Sequence, residues 1–155
     1  MFDKSDRLNA CFFEEPLADT IDGDTKATPV ASGGQTTWNM DITLNSRLVT
    51  KFNSSKEYIV ATILHEVIHA YLLAIKVNPL IDHNEMGLFY IDKMASGIKD
   101  VFPTISSDDA KALAWGGVHE SYAWKQLVIN SPTAAQKILD TNKKYRTSAL
   151  GTKCN

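Results

Sequence analysis

The sequence predicts an α+β domain in which one long buried helix lies beside a small sheet and the C-terminal half is helical. Three observations predict it. Residues 38–44, Trp-Asn-Met-Asp-Ile-Thr-Leu, alternate apolar and polar side chains, the period of a strand with one buried face. Glu57 to Val77 is apolar on nearly every face, as a helix surrounded by core must be. After Asp82, apolar positions recur at helical spacing in segments separated by cap and turn residues.

Taken in order, residues 1–37 are rich in Asp, Thr, Gly, Ser and Pro, with turn signals at Asp22-Gly23-Asp24 and Ser32-Gly33-Gly34. They read as a loop-rich segment with a short strand or two. Asp19, Asp22 and Asp24 lack the rest of a calcium-binding loop and read as a solvated acidic turn. Ser54 and Glu57 have capping-box spacing at the start of the central helix, and Asn78-Pro79 ends it. A second helix follows from Met86 through Ile98, broken at Asp100-Val-Phe-Pro103. Ser106-Ser-Asp-Asp109 caps a third helix through Trp115, Gly116-Gly117 turns the chain, and a fourth helix takes in Ser121 to Ile129. Ser131-Pro132 is a cap and first-turn signature for a last helix, 132–146. Trp115, Tyr122 and Trp124 read as core packing.

At 155 residues and 44% hydrophobic content, the chain can bury one substantial core without help from disulfides. The expected organisation is a single globular unit, with the loop-rich 1–37 in front of a domain spanning 38–150. A formal charge of −2 supplies no overall attraction to nucleic acid or to an anionic membrane, because nonspecific DNA affinity comes from Lys and Arg neutralising phosphates. No strong nucleic-acid partner and no membrane partner are therefore expected. The single stretch approaching a membrane span is interrupted by His65, Glu66 and His69. The N-terminus lacks a basic-then-apolar signal layout. The compartment stays open between the cytoplasm and export as part of a longer chain. Cys11 and Cys154 lie near opposite ends; they form one disulfide if the termini meet, or remain free thiols in a cytosolic chain.

Inside the central helix stands His65-Glu66-Val67-Ile68-His69. Residues four apart share a helix face, so both imidazoles can meet one zinc ion, with Glu66 beside them as general base for a water. The bland alternative is a buried helix with two satisfied core histidines. Burying two histidines and a glutamate without partners costs several kcal/mol, roughly, and one ion satisfies all three. A catalytic zinc site takes three protein ligands and keeps a position open. By spacing His83 is the third ligand, set at a helix start after a short break, with Glu85 the competitor and His119 more distant.

The run His65-Glu-Val-Ile-His-Ala-Tyr-Leu72, followed by His83 and a helix containing Phe89, resembles the metalloprotease core of the SprT-like family, which includes the Spartan DNA-protein crosslink proteases. Met40 to Leu48 resembles the strand those proteins place before the active-site helix. The similarity covers residues 38 to 98. It implies His65, His69 and His83 as zinc ligands and Glu66 as the catalytic residue. Asn84 follows His83 where family members commonly carry glycine, and no Cys-x-x-Cys pair follows the core.

Together these features lead us to expect a zincin-like fold and a zinc metalloendopeptidase acting on a polypeptide substrate. His119 and Tyr122, flanking the Gly-Gly turn, are candidates for oxyanion support, although a surface histidine and a packed tyrosine explain them more simply. Two other classes stay open: a toxin or effector protease domain released from a larger secreted protein, and a noncatalytic zinc-binding or interaction domain.

Overall fold

Met40 and Ile42 set the core face of the sheet. Both are buried, while Asn39 and Asp41, which alternate with them, are exposed, the period-2 alternation read from the sequence. They belong to β3 (Gln35–Asn45), the central strand of three. β1 (Leu8–Glu15) pairs parallel with it and β2 (Gly23–Ser32) antiparallel, giving the order β1-β3-β2. The computed structural model describes residues 8–32, 34–75 and 82–154.

Among the described residues before 38, strand thus outweighs loop. β1 escapes period-2 detection because seven of its eight residues are exposed, Phe12 and Phe13 among them. β2 is masked by Gly23, Pro29 and its threonines, which read as turn chemistry. Pro29 has no N–H to donate, which suits β2 as an edge strand among the described residues.

A four-residue helix, α1 (Arg47–Thr50), leads into α2 (Lys56–Ala74). The helix starts one residue later than the Ser54/Glu57 spacing suggests: Ser55 is the N-cap, its hydroxyl accepting from the Tyr58 N–H at 3.2 Å. Ser54 instead donates to the Arg146 carbonyl, and Glu57 accepts from the Thr152 N–H and hydroxyl. α2 ends at Ala74; Asn78-Pro79 lies outside the described residues. By length and composition α2 is apolar enough to cross a membrane, contrary to the sequence expectation. It is a core helix here, contributing Ala70 to the sheet-facing cluster, Ile68 and Leu72 to the main helical cluster, and Tyr58 and Ala61 to a third. Burial of such side chains stabilises by roughly 1.5–3 kcal/mol each for the larger ones.

The single helix expected over 86–98 is two, α3 (Asp82–Phe89) and α4 (Ile91–Val101). Tyr90, at φ −118°, interrupts them, yet its N–H still reaches the Met86 carbonyl. α5 (Ser107–Ala114), α6 (Tyr122–Asn130) and α7 (Pro132–Arg146) follow the sequence boundaries closely. Ser106 and Ser121 cap the first two; Ser131 occupies the cap position of α7 without a side-chain hydrogen bond. Trp115 and Trp124 pack at 5.6 Å in the core, whereas Tyr122 is 60% exposed. Both cysteines are free thiols.

Candidate metal centre

α2 carries His65 and His69 one turn apart, and the first turn of α3 brings His83 against them. The three Nε2 atoms converge: His69 Nε2 lies 3.0 Å from His65 Nε2 and 3.0 Å from His83 Nε2. Among the described residues this is the one group of His, Cys, Asp and Glu side chains arranged to hold a metal ion. Glu85 is not part of it.

Two carboxylates decide which ring nitrogens face inward. Asp82 Oδ2 sits 2.7 Å from His69 Nδ1, and its Oδ1 accepts from the His83 backbone N–H at 2.6 Å. Glu120, in the turn before α6, pairs with His83 Nδ1. A carboxylate beside Nδ1 favours the tautomer protonated there, which leaves the Nε2 atoms of His69 and of His83, 3.0 Å apart, as the free donors. Lone pairs 3.0 Å apart repel unless a cation stands between them, so the donor set fits a metal ion. Burial pushes the His65 pKa well down, with the neighbouring His69 and His83 adding to the effect. Burial also lowers His69, against the pull of Asp82. Both therefore favour the neutral form that ligates metal.

His65 is the most enclosed of the three, and among the described residues its Nδ1 has no hydrogen-bond partner. The Gly116-Gly117 turn explains its enclosure. Gly117 has φ +82°, and a Cβ built there would lie 2.7 Å from His65 Cε1. Glycine serves twice at this position, once for the left-handed backbone and once for the space taken by the ring.

Glu66 is 5% exposed and accepts from the Thr25 hydroxyl, Oγ1 to Oε2, at 2.7 Å. The same Oγ1 is 3.1 Å from the Glu66 carbonyl oxygen, so one hydroxyl proton has two acceptors. Burial raises the Glu66 carboxyl, the Thr25 hydrogen bond pulls it back, and Asp24, Asp82 and Asp22 add to the rise, leaving it at about 7. A carboxyl held there can take and return a proton near neutral pH.

The histidines and Glu66 open onto one cavity of about 550 Å³. Its floor is a single face of α2, from Tyr58 through Thr62, His65 and Glu66 to His69 and Leu73. β2 lines the cavity as well, as do Gly117 and Asn142 of α7.

His119 and Tyr122 are not among the residues lining this cavity. The His119 ring packs 4.4 Å from Trp124 with its Nε2 buried and, among the described residues, unpartnered, while Tyr122 is exposed: the packed residue is the histidine and the surface one the tyrosine, the reverse of the simple expectation. Asn84, the departure after His83, accepts from the Tyr122 N–H at 2.7 Å and so ties α3 to the start of α6. The aspartates of the first turn are engaged rather than merely solvated. Asp19 pairs with Arg47 and Lys51, and Asp22 accepts from Tyr58 Oη and Arg146.

Asp82, Glu120, Thr25, Gly23 and Gly117 shape the site and were not singled out for it in the sequence. Asp82 had a readable signal, a carboxylate directly before a candidate ligand histidine. Thr25 had none. No protein-family model, no curated protein and no solved structure matches this chain.

Proposed function

We propose that this chain is a zinc-dependent metalloendopeptidase of the zincin type, akin to the SprT-like proteases, with His65, His69 and His83 as ligands and Glu66 as general base. The observation that carries the reading is the convergence of three Nε2 atoms in a cavity that also holds a buried carboxyl raised to about 7. Imidazole donors suit zinc, and three of them beside a cavity match catalytic rather than closed structural sites. Bound there, zinc would polarise a scissile carbonyl and acidify water.

The chain's own groups supply the proton handling. Thr25 holds Glu66 Oε2, which leaves Oε1 to take the proton of the attacking water. The water oxygen bonds to the carbonyl carbon, the C–N bond breaks, and Glu66 passes the proton to the leaving amine. An extended polypeptide can be held by adding to the outer edge of β2, an edge strand among the described residues and one that lines the cavity. The net charge of −2 supports a polypeptide rather than a nucleic-acid partner.

An unbiased peptide-cleavage screen on zinc-loaded protein, run beside Glu66→Gln, tests this. Hydrolysis that falls roughly 100-fold or more in the variant, with zinc retained, is the expected result. Equal cleavage by the two proteins would remove Glu66 as the base, and no cleavage by either would remove the protease assignment.

A further inference from the structure

We propose that Gly23 and Thr25 are positioning residues for Glu66, forming a slot in β2 that fixes the carboxylate in the cavity that the three histidines also line. The proposal rests on the assignment of Glu66 as the base.

Gly23 and Thr25 are two positions apart in β2 and therefore share one face of the strand. Thr25 supplies the only side-chain hydrogen bond to the Glu66 carboxylate recorded among the described residues, at 2.7 Å, and its second contact, to the Glu66 carbonyl oxygen at 3.1 Å, anchors it to the backbone of α2. Threonine is stiff at χ1, so the strand backbone dictates where the hydroxyl points. The hydroxyl is the group that holds the carboxylate, and the χ1 stiffness adds to its placement.

Gly23 acts by what it lacks. A Cβ there would lie 2.7 Å from both Cγ and Oε1 of Glu66 and 2.9 Å from its Cδ; its three nearest neighbours all belong to that one side chain. The φ of Gly23 is not positive, so an alanine is conformationally allowed. The glycine is required by the position of the base and not by the turn before it. Glu66 is thus pressed against the bare Cα of one strand residue and held by the hydroxyl of the next on that face. The register of β2 on α2 then sets where the proton acceptor stands. Misplacing a catalytic group by about 1 Å can cost up to roughly 100-fold in rate.

The test compares full-length wild type, Thr25→Val, Thr25→Ser and Gly23→Ala, each zinc-loaded, by zinc content, by kcat and KM on unfolded casein, and by crystal structure. We expect Thr25→Val and Gly23→Ala to keep their zinc and their KM while kcat falls roughly tenfold or more. Thr25→Ser should recover most of the loss. In the crystals Glu66 should be displaced in the valine and alanine variants and back in place with serine. Glu66 in its wild-type position in Thr25→Val and Gly23→Ala would overturn the proposal, as would a loss that serine fails to recover. If wild-type protein cleaves no polypeptide, the protease assignment fails by itself, and the crystallographic positions of Glu66 still decide whether the slot holds it.

Discussion

Asp82 spans two of the three histidines: one carboxylate oxygen lies 2.7 Å from His69 Nδ1 and the other accepts the His83 backbone N–H at 2.6 Å. A single side chain therefore orients the ring of one proposed ligand and fixes the backbone of the next. Partners of this kind typically change metal affinity about 10–100-fold when removed. Asp82→Ala should weaken zinc binding by that order, measured by competition with a chromophoric chelator. Affinity equal to wild type would show that His69 needs no orienting partner.

Gly117 is expected to be intolerant for two separable reasons. An alanine there meets the left-handed penalty of about 1–2 kcal/mol and also pushes on the His65 ring. Gly117→Ala should lower the thermal midpoint of the metal-free protein and, in addition, weaken zinc binding. A stability loss with zinc affinity intact would mean that the ring slides aside without leaving the site.

The pH dependence of stability should carry a signature from the other end of α2. Burial pushes the Glu57 carboxyl up, but hydrogen bonds from the Thr152 N–H and hydroxyl outweigh it, so its folded pKa lies below the ordinary 4.5. On acidification the unfolded chain takes up this proton first. The contribution is fully present above about 4.5 and is lost as pH falls through the folded value. Glu57→Gln should cost roughly 2 kcal/mol at pH 7, as expected for hydrogen bonds to a charged group, and the gap to wild type should narrow under acid. Urea titrations at pH 7 and pH 3 check this; a gap that stays constant would contradict it.

How far the sequence could be read follows from how local each signal was. His65 and His69 were legible because a helix places residues four apart on one face, and the caps of α5 and α6 because serine side chains act within three residues of themselves. The strands β1 and β2 were not, since one is exposed along nearly its whole length and the other carries glycine and proline; only pairing with β3 makes them strands. The split at Tyr90 has no glycine or proline to announce it. Thr25 lies 41 residues from Glu66, and nothing short of the packed fold joins them. His119 and Tyr122 misled because spacing around a turn does not say which side chain the core takes in.

The proposed third ligand is where spacing and geometry can be set against chemistry. His83 Nε2 lies 3.0 Å from His69 Nε2, while Glu85 takes no part in the cluster. Glu85→Ala should bind zinc as wild type does, and His83→Ala should lose affinity by orders of magnitude together with the stability that bound metal confers.

Zinc content of the purified chain, after equilibration with zinc and exhaustive dialysis, tests the metal centre most directly. About one zinc per chain in the wild type, and little in His83→Ala, is the result three converging histidines require. No zinc in the wild type, or undiminished zinc in His83→Ala with loss in Glu85→Ala, would contradict it.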